Sequence, residues 1–211
     1  MKVLELFAGS RSIGKVANEL GHFVFSVDIN KFENIDLVID ILKLKKKDIP
    51  FQPNLIWASP PCTYFSVSSI GKHWYKNHLP KTEKAELGVK IVKKTIKIIK
   101  KLKPKYWFIE NPRGKLRKLN FMQNLDRTTV WYCRYGDKRA KPTDIWTNNL
   151  KSIYNPNGWQ PRKECFNGNK NCHHESAPRG SQTGTQGLKN NYEKSKIPYN
   201  LCYEIIKSSE N

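Results

Sequence analysis

At 211 residues with 38% hydrophobic side chains, the chain suits one domain of ordinary size with at most a small appendage. Its 38 Lys and Arg against 18 Asp and Glu give a formal charge of +20, an excess that predicts a polyanionic partner. Six Trp and nine Tyr among those charges favour nucleic acid over the plainer reading of solubilising lysines.

Residues 2–7 are a short apolar run halted by Ala8-Gly9-Ser10, the pattern of a buried strand entering a tight turn. Residues 13–20 have helical spacing and stop at Gly21, and residues 22–27 form a second strand closed by Asp28. A third short strand is predicted within 36–42 and a fourth at 54–58, the latter running into Ser59-Pro60-Pro61-Cys62. The clearest helix spans 83–103. Leu87, Ile91, Thr95, Ile98, Ile99 and Leu102 make its apolar stripe, lysines occupy most of its other faces, and Pro104 ends it. Residues 106–110 are another strand, stopping at Asn111-Pro112, and 128–135 reads as a further one. Residues 148–191 are dense in Gly, Pro, Asn and Ser. That is too long for a featureless loop, so a functional or locally stapled segment is expected. Residues 198–207 return to an apolar helical pattern.

Strands alternating with helices over short connections predict an α/β fold with a doubly wound parallel sheet. Residues 1–120 would form its core, 121–191 a small irregular region, and 192–211 a helix completing the core. No apolar run approaches membrane-spanning length, and no charged segment leads into an apolar one at the start. A cytoplasmic protein with no membrane partner is therefore expected.

Two strand ends carry chemistry. The prolines before Cys62 fix φ and supply no N–H, so a stiff turn delivers the thiol to the rim of the sheet, where open α/β folds bind ligands. A thiol there is placed to act as a nucleophile; taken alone, a half-buried structural cysteine is the blander reading. Glu110 reaches the same rim, with a cap or a lysine salt bridge as its ordinary alternative. Gly9-Ser-Arg-Ser-Ile-Gly14-Lys15 fits most of a phosphate loop, but Val16 replaces the hydroxyl residue that would hold magnesium. A glycine turn holding a nucleoside-bearing cofactor fits better, with Asp28 at the end of the second strand to grip ribose hydroxyls.

Leu4-Glu5-Leu6-Phe7-Ala8-Gly9-Ser10, Asp28, Asp40-Ile41, Pro60-Pro61-Cys62, Glu110-Asn111 and Ile197-Pro198-Tyr199-Asn200-Leu201 stand in an order that resembles the DNA cytosine-5 methyltransferases, most closely short phage-type members. The resemblance is densest in residues 1–114 and again near 195–206. It implies a class I S-adenosylmethionine-dependent methyltransferase fold, Rossmann-like, with a small recognition region. Phe7, Ala8, Gly9 and Ser10 would line the methionine end of the cofactor, Asp28 the ribose and Asp40 the adenine. Ile29, Ile41, Ser59 and Pro61 would complete the cofactor contacts. Cys62 would add to C6 of a cytosine flipped out of duplex DNA, and Glu110 would hold the base. The basic surroundings are expected to lower the thiol pKa. Arg134, with Arg139, would contact phosphate or the target base. Glu110-Asn111 is followed by Pro112 where Val is commoner in the family, and only about residues 121–190 are left for target recognition. Three alternatives stay open: methylation of an exocyclic amine, whose Pro-Pro-aromatic turn Tyr64 and Phe65 approximate; an RNA substrate; and a non-catalytic DNA-binding relative. Protection of a genome from restriction is the expected role.

Five unevenly spaced cysteines argue against a disulfide framework. Cys165, Cys172 and His173, with Cys133 upstream, would complete a closed tetrahedral zinc site able to staple the irregular region. His174 in place of His173, or free cysteines in a recognition loop, are the alternatives. His173 and Glu175 fit half of a nucleobase-deaminase motif whose Pro-Cys-x-x-Cys partner is missing. Residues 179–187 read as a polar loop suited to phosphates or base edges.

Overall fold

The computed structural model describes residues 1–176, 188 and 190–210. Its first half alternates strands and helices: β1 (Lys2–Leu6), α1 (Ser12–Glu19), β2 (Phe23–Asp28), β3 (Leu37–Val38), β4 (Leu55–Ala58), the short α2 (Ile70–His73), α3 (Glu83–Leu102) and β5 (Tyr106–Pro112). Then follow α4 (Asn120–Gln123), the hairpin β6 (Arg127–Trp131) and β7 (Pro142–Thr147), and the helices α5 (Asn191–Ser195) and α6 (Tyr199–Ser208).

The strands form one sheet in the order β3-β2-β1-β4-β5-β7-β6. The five strands β1–β5 are parallel, as expected. The hairpin departs from that expectation, because β7 inserts antiparallel between β5 and β6. From β1 the chain winds outward to β2 and β3, then returns to add β4 on the other side. The switch point between β1 and β4 opens a crevice at their C-terminal ends.

Alternation along the strands divides the core into two layers. Leu4, Leu6, Ile56, Ala58 and Ile109 pack against Val92, Ile98, Ile99 and Leu102 of α3. Val3, Leu55, Trp57 and Phe108 face the opposite way, onto Ile13, Val16 and Ala17 of α1 and Leu201, Ile205 and Ile206 of α6. Each Val, Leu, Ile or Phe among them contributes roughly 1.5–3 kcal/mol on full burial.

Helix α3 starts where Thr82 Oγ1 accepts from Ala85 N at 3.3 Å, with Glu83 and Glu86 in its first turn and Lys100 and Lys101 in its last. Its buried face is narrower than the predicted stripe. Leu87 is 41% exposed, while Gly88 takes the inward place because the rings of Tyr64 and Phe65 lie where a Cβ would reach 3.1 Å. Two other predicted segments are shorter than expected. The third strand pairs only at Leu37–Val38, since the Asp40 carbonyl turns the chain by accepting from Lys43 N and Leu44 N. The strand predicted at 128–135 stops at Trp131, and Tyr132–Tyr135 is a 3₁₀ turn closed by Gly136 at φ 89°. Among the described residues, no helix is long and apolar enough to cross a membrane.

Candidate active site

The turn leaving β1 is tightly specified. Phe7, Gly9 and Arg11 all have positive φ (58°, 45° and 53°), a conformation that costs a non-glycine residue about 1–2 kcal/mol. Hydrogen bonds hold it: Ala8 N to Val27 O (3.1 Å), Gly9 N to Asp28 Oδ2 (3.0 Å), Arg11 N to Ala8 O (2.6 Å) and Arg11 Nε to Ser26 Oγ (3.0 Å). Behind it Glu5 is buried and accepts from Gly14 N at 3.1 Å and Ser26 Oγ at 3.1 Å. Burial pushes its carboxyl up to about 7, against the lowering pull of those bonds and of Arg11. A Cβ at position 14 would sit 2.5 Å from Glu5 Oε2, so any larger residue there would have to displace the carboxylate. The amide that a phosphate loop would turn toward its ligand is therefore already taken by an acid.

Two adjoining cavities open at the switch point. The larger, ≈ 220 Å³, is lined by Phe7, Ala8, Ser10, Ser59, Pro61, Cys62 and Glu110, with Lys141, Lys194 and Ser195 on the far wall. The smaller, ≈ 70 Å³, is lined by Asp28, Ile29, Asp40 and Ile41 between the apolar walls Ile39 and Ile91. Phe7 and Pro61 line both. Of the predicted cofactor residues, Gly9 is the one outside these walls; it acts through its N–H, which ties Asp28. Asp28 also accepts from Asn30 N (2.8 Å), and Asp40 from Leu42 N (2.9 Å), so both carboxylates are oriented by the backbone and keep lone pairs for a ligand.

Cys62 is half-buried and braced from several sides. Asn111 Nδ2 donates to Pro60 O at 2.9 Å, fixing the Pro-Pro turn to β5. The Cys62 carbonyl accepts from Phe65 N (2.9 Å) and Ser66 N (3.0 Å). Phe65 O in turn accepts from Lys115 N (2.7 Å), and a Cβ at Gly114 would lie 2.2 Å from that oxygen. The thiol pKa departs from expectation: burial pushes it above the ordinary value. The Lys141 ammonium pulls it down, Glu110 pushes it up, and Lys194 lowers it further. Desolvation outweighs the two lysines that act on the sulfur.

Glu110 is 6% exposed and accepts from Tyr132 Oη at 3.1 Å. Burial, then the nearby Glu110 charge, hold the Tyr132 phenol well above its usual range. Lys141, absent from the sequence-derived site, lines the cavity, lies 4.7 Å from the Tyr132 ring centroid and donates to Lys194 O at 3.2 Å. The one sequence signal for it is the basic pair Arg139 and Lys141 two residues apart, ahead of a strand. Neither predicted arginine lines the cavity. Arg134 is exposed on the 3₁₀ turn and outside the cavity, because the strand that would have aimed it inward ends at Trp131. Arg139 is buried, paired with Asp137 and donating to Lys196 O at 3.0 Å, so it holds the chain that covers the cavity.

The predicted metal ligands gather with one change. One ligand atom from each of Cys133, Cys165, Cys172 and His174 lies within 4.8 Å of the others. His173 is not among them, since consecutive side chains diverge here and its Nε2 sits 3.2 Å from Asp137 O. Residues 179–187, read as a polar loop, lie outside the described residues.

Residues 1–128 match the family model for C-5 cytosine-specific DNA methylase. Over 156 residues the chain is 31% identical to a probable DNA (cytosine-5)-methyltransferase of frog virus 3 (isolate Goorha), covering 70% of this chain and 71% of that protein. Its backbone is similar to the Entamoeba histolytica methyltransferase EhMeth (TM-score 0.55, 16% identity, 78% of this chain and 57% of that one). It is also similar to a putative DNA modification methyltransferase encoded within a prophage of E. coli (TM-score 0.53, 16% identity, 70% and 46%). At that identity the structural likenesses speak for the fold alone, and the chain spans about half the length of these two structures.

Proposed function

The chain belongs to the C-5 cytosine-specific DNA methylase family, and from that premise we propose that it methylates C5 of a cytosine flipped out of duplex DNA, with Cys62 as nucleophile and Glu110 as the acid that holds the base. S-Adenosylmethionine, the cofactor of the family, supplies an electrophilic methyl group. The walls fit it: Asp28 and Asp40 offer acceptors to ribose hydroxyls and an exocyclic amine between Ile29, Ile39, Ile41 and Ile91. The observation that carries the reading is that Cys62 and Glu110 line one cavity that shares Phe7 and Pro61 with this acid-bearing one.

Cytosine C5 is a weak nucleophile until a thiolate adds at C6. Of the cations that favour that thiolate, Lys141 acts most strongly and Lys194 assists. As the C6–S bond forms, the displaced ring electrons put negative charge on the pyrimidine. Glu110 accepts from Tyr132 at Oε1 and turns its other oxygen to the base, where it would accept from the exocyclic amine and share a proton with N3 that offsets the charge. C5 then takes the methyl group as the sulfonium S–CH3 bond breaks and a neutral thioether leaves; a base removes the C5 proton, and that electron pair expels the Cys62 thiolate. The excess of cations holds the phosphate backbone of a duplex from which the base has been drawn.

Exocyclic-amine transfer fits less well. Neither Tyr64 nor Phe65 lines either cavity: Phe65 is fully buried, and Tyr64 packs edge-on against His73 at 5.7 Å. The test is transfer of labelled methyl from S-adenosylmethionine to mixed-sequence duplex DNA by wild type and Cys62→Ala, followed by base analysis. Label in 5-methylcytosine that disappears in the variant is expected. Label on an exocyclic amine, or turnover that survives Cys62→Ala, would overturn the assignment.

A further inference from the structure

We propose that Cys133, Cys165, Cys172 and His174 bind one Zn²⁺ in a closed tetrahedral site that fastens the irregular segment 163–176 to the back of the active-site wall. The ligand atoms lie within 4.8 Å of one another, and Cys165 Sγ is 3.8 Å from His174 Nδ1. A tetrahedron with Zn–S legs of about 2.3 Å has edges of about 3.8 Å, so the cluster needs to contract by roughly an ångström or less. Three thiols and an imidazole, with no carboxylate, select zinc over magnesium or calcium. Cys133 and Cys165 are 1% and 5% exposed beside Trp131 and Ala140, Cys172 and His174 are half-buried, and four protein ligands leave no position for substrate, as in a structural site. Asn169 Nδ2 approaches Cys165 Sγ at 3.5 Å, the kind of outer donor that steadies a metal-bound thiolate.

The segment has little else to order it. Its apolar contact is confined to Trp131, Cys133, Ala140 and Cys165, with Cys172 beside them, separate from both main core layers. It contains no helix or strand, and its chain folds back through Asn169 N to Phe166 O (3.3 Å) and Cys172 N to Asn169 O (3.1 Å). That turn brings Cys165 and Cys172 together as a pair of ligands. Cys133 anchors them to the 3₁₀ turn, directly after the tyrosine that holds Glu110. Glu175 N to Lys138 O (2.9 Å) and His173 Nε2 beside Asp137 O fasten the far end to the loop leading to Arg139 and Lys141.

Metal binding can be read without methyl transfer, so its outcome is independent of the proposed reaction. The full chain, purified under reducing conditions without chelator, is expected to carry one zinc per chain by elemental analysis. Co²⁺ exchanged into it should give the intense visible bands of a tetrahedral thiolate site. Cys172→Ser and His174→Ala should each weaken Zn²⁺ binding by more than the roughly 100-fold lost with an outer hydrogen-bond partner, while His173→Ala keeps one equivalent. A wild-type chain that takes up neither Zn²⁺ nor Co²⁺ stoichiometrically, or that holds two of the three sulfurs as a disulfide after reduction, would overturn the proposal. So would loss of the metal in His173→Ala with retention in His174→Ala. The wild-type Co²⁺ titration decides the matter even where a cysteine variant fails to fold.

Discussion

Asn111→Ala removes the hydrogen bond that ties the nucleophile turn to β5. Asn111 is fully buried, and its Nδ2 donates to Pro60 O at 2.9 Å. The two prolines contribute no N–H of their own, so this bond is a principal anchor of the turn. Its loss leaves a buried carbonyl unsatisfied, worth about 1–3 kcal/mol. Asn111 Oδ1 has no partner among the described residues, so truncation also removes a standing penalty, and the net loss falls at about 1–2 kcal/mol. For a chain of this size that lowers the melting temperature by roughly 2–8 °C. The catalytic effect is larger, because displacing a reacting atom by about 1 Å can cost roughly 100-fold. The assay is the rate of covalent trapping on duplex DNA containing 5-fluorocytosine, alongside DNA affinity and melting temperature. A 10–100-fold slower adduct with DNA affinity nearly unchanged is expected, within about the range that misplacement allows. Asn111→Asp, which sets an oxygen where Nδ2 now faces Pro60 O, should be slower than Asn111→Ala. An unchanged trapping rate in Asn111→Ala, or a faster rate in Asp than in Ala, would refute the reasoning.

Gly114→Ala would bring a Cβ to 2.2 Å from the Phe65 carbonyl, so trapping should fall far below that of Gly71→Ala, whose Cβ meets nothing within 4 Å. Glu5 binds its proton more tightly folded than unfolded, from 4.5 to about 7, so stability falls as pH rises through that window and levels off above it. The span corresponds to at most about 3 kcal/mol, and Glu5→Gln should flatten that part of the melting-temperature profile. Because burial raises the Cys62 thiol while Lys141 lowers it, Lys141→Gln should move the pH profile of Cys62 alkylation further alkaline; an acid shift would contradict the geometry.

The elements that position the site were legible because their signals are local. Apolar runs that end in turn residues mark β1, β2, β4 and β5, and the 3.6-residue stripe marks α3. Cys62 and Glu110 could be set at the same rim because β4 and β5 each stop at proline-bearing turns, and these strands are neighbours in the sheet. Strand β7 was hidden because its middle residue is a fully buried acid. Asp144 is tolerated through Arg117 (2.8 Å to Oδ2), Arg127 (3.3 Å to Oδ1) and Thr129 Oγ1 (2.9 Å to Oδ1), and the two arginines lie 27 and 17 residues away. The choice of His174 over His173, the outward turn of Arg134 and the inward reach of Lys141 rest on irregular backbone, where no period assigns a face. Composition counted the cations correctly but placed none of them. Whether a thiol feels a lysine or the loss of water depends on distances set by the fold, and at Cys62 burial wins.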